Sequence, residues 1–343
     1  MNLSQLIRRT ACQAEDAPDL SEDDAHAVFS AVLDGGVADL ELGALLTAMS
    51  IKGETAAELL GCHRAISERL YPLSAPLARP RPLVIPTYSG TRAAHNLLPL
   101  LGLLLRRLGI PVLFHGTLHS ETGIASAYLL RELGVMPSAT RTQAQGALDE
   151  ELLAFVPVAV ICPGLANLLA LRNRIGVRNA GHIAVQLLDP FQTHGVRLAS
   201  GETPRELHNL AIALAASGDS DLLLKSTEGE GFADPRRRPR IEWLGRGERA
   251  VLFDEESARS KSLAGLPARV EVASTAAWIR QALEGAVPIP HPLVNELACC
   301  LYATGYTDDM NQAKAIAAME TSSLAPAGRR RSRHRTPNRP LTR

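Results

Sequence analysis

The stretch Val84-Ile85-Pro86-Thr87-Tyr88-Ser89-Gly90 joins an apolar strand to a leucine-rich helix. In α/β proteins that junction holds phosphate, using bare backbone N–H groups and the positive end of the following helix. The place is right here and the residues are not. Gly90 is the one glycine of the stretch, Pro86 has no N–H to donate, and Tyr88 and Ser89 carry side chains where a diphosphate requires close backbone approach. The pattern reads as a phosphate-binding scaffold that has lost its phosphate loop.

Arginines supply the other chemistry. Asp234-Pro235-Arg236-Arg237-Arg238-Pro239-Arg240 sets four guanidiniums in five positions. Such a run stays out of a core; it is either a solvated loop or a loop that contacts phosphate. Arg172, Arg174 and Arg178, with Asn173 and Asn179, form a second cluster, where pairing with acidic groups competes with nucleic-acid contact. Arg172 and Arg174 are two apart and point away from each other on a helix. Arg92 and Lys225 fall at strand ends. His115, also at a strand end, reads as a structural histidine rather than a base.

The third cluster is C-terminal. Arg329, Arg330, Arg331, Arg333, Arg335, Arg339 and Arg343 follow Leu324 with no acid among them. Removing these seven from 36 basic residues leaves 29 against 36 acids, so a formally neutral chain divides into a body of about −7 and a tail of +7. Arginine-rich tails bind DNA, RNA, membranes and acidic proteins alike, and this one also has its own acidic body to fold back on.

The elements that position these groups follow from periodicity. Residues 1–78 read as a small all-helical domain: apolar residues recur at helical spacing over Ala25–Leu33, Leu40–Ile51 and Ala56–Leu70. Ser21 to Asp24 resembles a capping box. Pro72, Pro76, Pro80 and Pro82 mark a stiff linker. From Leu83 strands and helices alternate: strands at Leu83–Thr87, Pro111–His115, Phe155–Ile161, Val196–Ala199 and Leu222–Lys225, helices at His95–Arg107, Gly123–Leu133, Leu165–Arg174, Gly181–Leu188 and Pro204–Ala216. That alternation predicts an α/β domain over 79–323 with a central, mainly parallel sheet. Ile241–Leu244 and Ala250–Phe253 predict a hairpin, and three helices close the domain. Residues 324–343 lack the apolar residues for a core and read as a disordered basic tail.

At 343 residues, 46 % of them hydrophobic, the chain can bury a sizeable core. Five cysteines without a framework spacing read as reduced thiols. Met1–Arg9 shows no secretory pattern, and the longest apolar run, Leu97–Leu105, is far short of the roughly 20 residues that span a bilayer. The expectation is a cytoplasmic protein without a membrane partner. Aromatics are scarce, 4 %, so stacking platforms for bases are few.

Leu40-Glu41-Leu42-Gly43-Ala44-Leu45-Leu46 followed by Ile51-Lys52-Gly53-Glu54-Thr55 resembles the helical domain of anthranilate phosphoribosyltransferases and pyrimidine nucleoside phosphorylases. With Val112–Gly116, Gly176–Asn179, Thr227–Glu230 and Leu297–Leu301, the resemblance covers residues 20 to 320 and is closest to a non-enzymatic branch, the YbiB-type DNA-binding proteins. It implies the two-part fold above and a homodimer through the helical domains. It also implies what is missing. The enzymes hold phosphoribosyl pyrophosphate on Gly-Thr-Gly-Gly-Asp, where Pro86-Thr87-Tyr88-Ser89-Gly90 keeps only Thr87. Their Lys-His-Gly-Asn-Arg matches Phe114-His115-Gly116-Thr117-Leu118, which keeps only His115 and Gly116. Arg178 matches the arginine that meets anthranilate. Glu228 and Glu230 match, loosely, the acidic pair that holds Mg²⁺, and are candidates for a vestigial metal site.

Each hydrogen bond from such a donor to a charged phosphate contributes about 1.5–3 kcal/mol. Losing several at once removes the roughly 8 kcal/mol of micromolar diphosphate binding. The expected function is therefore non-catalytic: largely sequence-independent binding of DNA, and of RNA on the same electrostatics, by a homodimer without cofactor. Its contacts would be Arg172, Arg174, Arg178, Lys225, Arg236, Arg237, Arg238, Arg240 and the tail arginines Arg329, Arg330, Arg331 and Arg333. The alternative is a phosphoribosyltransferase using phosphoribosyl pyrophosphate and Mg²⁺ at the old ligand site of Thr87, Tyr88, Ser89, Gly90, His115, Gly116 and Arg178. A third reading has the tail dock an acidic protein.

Overall fold

The structure, a computed structural model, describes residues 7, 19–77, 79–120, 123–256 and 265–323. The basic tail lies outside the described residues.

Three N-terminal helices come first: α1 (Glu22–Leu33), α2 (Asp39–Lys52) and α3 (Ala56–Ser67). Ser21 Oγ accepts the Asp24 N–H at 3.1 Å and starts α1. The complete capping box sits on α3 instead, where Thr55 and Glu58 each bond the other's backbone N–H. Glu58 is almost fully buried, and its desolvation is offset by Lys52, 2.8 Å away, and by the Leu20 N–H. That cluster ties the start of the chain to the α2–α3 turn.

The α/β part contains β1 (Leu83–Thr87), α4 (Leu98–Arg107), β2 (Val112–Gly116), α5 (Ser126–Glu132), α6 (Arg141–Glu151), β3 (Leu153–Pro157), α7 (Val158–Ile161), α8 (Pro163–Ala170), α9 (Arg172–Ile175), α10 (Gly181–Ala184), β4 (Val196–Gly201), α11 (Pro204–Ser217), β5 (Ser220–Lys225), β6 (Ile241–Gly245), β7 (Glu248–Phe253), α12 (Val272–Leu283), α13 (His291–Ala303) and α14 (Met310–Ser323). One seven-stranded sheet runs in the order β3-β2-β1-β4-β5-β6-β7. The first five strands are parallel and buried almost throughout; β6 and β7 are the antiparallel hairpin that the sequence predicts.

Several element boundaries differ from the periodicity, and two of them have a clear local cause. The helix expected from His95 begins at Leu98, because the Asn96 carboxamide accepts the Leu98 N–H and Pro99 occupies the first turn. The strand expected over Phe155–Ile161 stops at Pro157 and turns into α7, an apolar run whose period cannot tell strand from buried helix. Helix α6 is too polar to announce itself by an apolar stripe.

One face of the sheet packs on α4, α12, α13 and α14 around Phe114, Phe155 and Trp278. On the other face one apolar cluster runs from Leu20, Phe29, Leu46 and Ile66 through Val84 and Leu113 to Leu165 and Phe191, and a second joins Ala199, Leu223 and Leu244 of the sheet to Leu210 and Leu214 of α11. The N-terminal helices and the segment from α7 to α10 thus share one core with the sheet. No helix among the described residues is long and apolar enough to cross a membrane.

Candidate functional site

In a parallel sheet, ligands sit beyond the carboxyl ends of the strands where the strand order reverses. Here that point lies between β1 and β4. The loop after β1 (88–97), the end of β4 at Gly201-Glu202 and the loop after β5 (226–240) all emerge there.

Glu230 holds the first of these loops. It is fully buried, and its Oε1 accepts the N–H of Ser89 at 2.8 Å and of Gly90 at 2.6 Å. Burial pushes the Glu230 carboxyl above its ordinary range, although the two N–H groups pull the other way. Gly229, at φ +85°, lets the acidic turn close against Ser89; a Cβ there would lie 2.4 Å from the Ser89 hydroxyl. Glu228 faces the next three residues. Its carboxylate accepts the N–H groups of Arg92 at 2.5 Å, Ala93 at 3.1 and 3.2 Å, and Ala94 at 3.1 Å.

The sequence reading of a donor-poor loop is therefore corrected. Five backbone N–H groups from Ser89 to Ala94 converge, and two carboxylates from 134 to 141 residues away accept them. The vestigial metal reading of Glu228 and Glu230 changes for the same reason. A Mg²⁺ ion leans on carboxylates that face outward and on substrate phosphates. These two carboxylates point instead at the donors that the phosphates would need, so the residues present do not fit phosphoribosyl pyrophosphate with Mg²⁺.

The other members of the old ligand site are spent internally. The Thr87 hydroxyl is buried and lies 2.6 Å from Ser126 Oγ. The Tyr88 hydroxyl shares a 2.7 Å hydrogen bond with His115 Nδ1. Burial lowers the His115 pKa to about 3 and raises that of Tyr88, so both are neutral. Gly116 passes so close to Thr87 that a Cβ would lie 1.9 Å from its carbonyl oxygen.

The basic clusters, remote in sequence, meet around this plugged loop. Three adjoining cavities form a groove across the strand ends. A cavity of about 410 Å³ is lined by Lys225, Arg236, Arg237 and Glu228 among others. The next, about 380 Å³, shares Ser226 and Glu228 with it and adds Arg92, Arg172 and Arg178. The third, about 510 Å³, shares Ser89 and Arg172 with the second and is more apolar, with Tyr88, Val158, Leu169 and His182 in its wall.

Pairing sorts the arginines. Arg178 sits 2.9 Å from Glu202, and Arg174 lies 2.9 Å from Asp39 of α2. Arg237 pairs with Glu255 at 2.9 Å, Arg238 with Glu256 at 3.3 Å, and Arg240 with Glu242 at 2.5 Å. The acidic run Asp254-Glu255-Glu256, one hairpin after the basic run, is the sequence signal that points to this pairing. Arg92, Arg172, Lys225 and Arg236 enter no ion pair among the described residues and line the groove. Arg329, Arg330, Arg331 and Arg333 lie outside the described residues.

Comparison with known proteins identifies the scaffold. The helical bundle domain of a glycosyl transferase family matches residues 4–69. The uncharacterized protein YbiB of Escherichia coli K12 is 38 % identical over 306 residues, covering 89 % of this chain and 95 % of that protein. The anthranilate phosphoribosyltransferase of Thermus thermophilus is 27 % identical over 303 residues, covering 87 % of this chain and 90 % of that enzyme. A crystal structure of anthranilate phosphoribosyltransferase from the same organism superposes with a TM-score of 0.75 over 94 % of both chains at 24 % identity. The Saccharomyces cerevisiae enzyme, solved in complex with PRPP and Mg, superposes with a TM-score of 0.68 over 94 % of both chains at 13 % identity. The chain belongs to the YbiB family, built on the anthranilate phosphoribosyltransferase fold with its helical bundle and mostly parallel sheet.

Proposed function

We propose that this protein binds nucleic acid through phosphate contacts, without catalysis, across the groove at the carboxyl ends of its strands. One observation carries the reading: the N–H groups of the β1 loop are already taken by Glu228 and Glu230, while four cations that enter no ion pair among the described residues, Arg92, Arg172, Lys225 and Arg236, remain along the groove. A scaffold that turns its diphosphate cradle inward and leaves guanidiniums outward is suited to a polyanion rather than to a sugar diphosphate. Contacts to phosphate carry no sequence information, so binding is largely sequence-independent. DNA is the expected ligand, and RNA presents the same backbone charge.

A homodimer would place two such grooves on one particle and raise apparent affinity through effective concentration. The candidate contact is α2, whose Leu40 and Ile51 are 83 % and 72 % exposed and lie eleven positions apart, on one side of the helix with Ala44. Replacing both Leu40 and Ile51 with Glu is expected to halve the mass measured by light scattering; an unchanged mass rules this face out.

The test is a salt titration against unrelated duplex and single-stranded sequences, run beside calorimetry with phosphoribosyl pyrophosphate and Mg²⁺. Affinity for duplex should fall with log salt at a slope of about −0.9 per neutralised phosphate. No heat is expected from the sugar diphosphate at millimolar concentration. A flat salt response, strong sequence preference, or micromolar binding of the sugar diphosphate would each reject the proposal, the last in favour of a phosphoribosyltransferase.

A further inference from the structure

Glu54 sits in the turn between α2 and α3, away from the strand ends, and α11 clamps that turn. Arg205 donates to the carbonyl of Lys52 at 2.7 Å and to that of Gly53 at 3.2 Å. Asn209, one helical turn further on, donates through Nδ2 to the Glu54 carbonyl at 2.7 Å. Gly53 permits this approach: its φ is +76°, and a Cβ there would lie 2.9 Å from the Arg205 guanidinium. The backbone of Glu54 is thus fixed against the α/β domain, and the residue is 8 % exposed.

The cations around it are engaged elsewhere. Lys52 Nζ lies 2.8 Å from both Glu58 and Asp19. Arg178 faces Glu202 at 2.9 Å and Glu206 at 3.7 Å. Arg205 is spent on its two carbonyls. Among the described residues the Glu54 carboxyl enters no ion pair and accepts no hydrogen bond beyond that of its own backbone N–H. A buried carboxylate left in this state is costly, and proteins pair such groups or use them to bind. Burial, reinforced by the negative charges of Glu58 and Glu206, raises the Glu54 pKa to about 7, although its own N–H and Arg178 pull the other way.

A cavity of about 260 Å³ opens beside this carboxyl, and Arg178 is the one residue it shares with the walls of the groove. Ser50, Asn209 and Glu206 give it a polar side, and Leu59 and Ile183 an apolar one. Asn209 has spent its Nδ2 on the turn and keeps Oδ1 as an acceptor. Anions do not suit such a wall, since its two guanidiniums are engaged and its uncompensated charge is negative. No group of three acids, histidines or cysteines among the described residues could hold a metal ion.

We infer that this cavity binds a small organic monocation through a primary ammonium, with the Glu54 carboxylate as its counter-charge. The ammonium donates to Glu54 and to Asn209 Oδ1, and a short alkyl body lies against Leu59 and Ile183. The site does not depend on the function proposed above. Binding needs the ionised carboxylate, so affinity falls as pH drops below about 7. The charged and titratable groups that face Glu54 are Lys52 of α2, Glu58 and Cys62 of α3, Arg178, and Arg205 and Glu206 of α11; burial pushes the Cys62 thiol up and keeps it neutral.

The test titrates the full chain with n-butylammonium chloride by calorimetry, with 1-butanol as the neutral control of the same size. Butylammonium is expected to bind at pH 8.5, about tenfold more weakly at pH 6, and at least tenfold more tightly than butanol. E54Q keeps the shape of the side chain and should bind at least tenfold more weakly at pH 8.5. A second readout needs no variant: saturating butylammonium should lower the midpoint of the Glu54 carboxyl resonance, followed by carbon-13 NMR, by one pH unit or more. That measurement decides the matter if E54Q does not fold. Absence of heat at pH 8.5, equal binding of butanol, equal affinity at pH 6 and 8.5, a folded E54Q that binds as the parent does, or an unmoved Glu54 midpoint would each overturn the inference.

Discussion

Cations that already face a carboxylate should contribute less to polyanion binding than cations that do not, and this chain contains both sets side by side. Consider one variant in which Arg92, Arg172, Lys225 and Arg236 become Ala, and another in which Arg174, Arg237 and Arg240 become Ala. In the first set each side chain lines the groove outside any ion pair among the described residues. In the second each lies within 2.5 to 2.9 Å of Asp39, Glu255 or Glu242. If each cation of the first set neutralises one duplex phosphate, removing four lowers the salt slope by about 3.6, roughly a 150-fold smaller affinity change between 50 and 200 mM salt. A paired arginine must first give up its ion pair, worth about 0.2–1 kcal/mol where both partners are exposed, as in Arg174–Asp39 and Arg237–Glu255, and the carboxylate it leaves then repels the phosphate; Glu242 is buried and keeps Arg249, so Arg240 is the least available of the three. The triple variant should therefore change the slope by less than about 1. Fluorescence anisotropy with a labelled duplex at several salt concentrations measures both. Equal slope changes per residue in the two variants, or a larger change in the paired set, would refute the sorting by pairing.

Other outcomes follow from the charge distribution and the buried groups. Deleting residues 324–343 removes seven arginines and should weaken duplex binding and reduce the salt slope; an unchanged slope places all the contacts in the folded body. Asp221→Ala strands the buried Arg197 guanidinium, which Asp221 holds at 2.6 Å, and should lower unfolding free energy by about 3–5 kcal/mol in urea titration. Glu296, fully buried with a carboxyl raised by burial to about 8, keeps a proton in the folded state that the unfolded chain releases above about 4.5. Its contribution to stability therefore declines as pH rises from about 4.5 to 8. The buried His115 and His182, lowered to about 3 and 4, act oppositely and add stability as pH rises towards 6.5. Glu296→Gln should gain in melting temperature relative to the parent steadily from pH 5 to 8; a constant offset would contradict this.

The architecture was largely legible because it rests on local regularities. Apolar spacing marks α1, α2 and α11, and continuous apolar runs mark β1, β2 and β5, strands buried on both faces. Boundaries were less legible where one polar contact decides them, as Asn96 does for α4. The site was legible as composition and not as pairing. Four arginines at 236–240 are visible in the sequence, but three face acids on the β6–β7 hairpin and the segment just after it. The largest departure concerned Glu228. Reading the loop after β1 by itself finds few glycines and predicts few donors; the donors lie further along, and the group that accepts them comes from the loop after β5.

The apolar cluster that joins Leu20 and Phe29 to Val84 and Phe191 has a mechanical consequence. Enzymes that shut around a small substrate need lobes able to slide apart, and a seam filled with leucine and phenylalanine resists such sliding. Such a seam favours a trough of set width at the strand ends, which under the function proposed above would receive an extended polymer as a rail does, without a jaw closing over it. Calorimetric melting of the bundle and the sheet in one peak would agree with a frame of that kind.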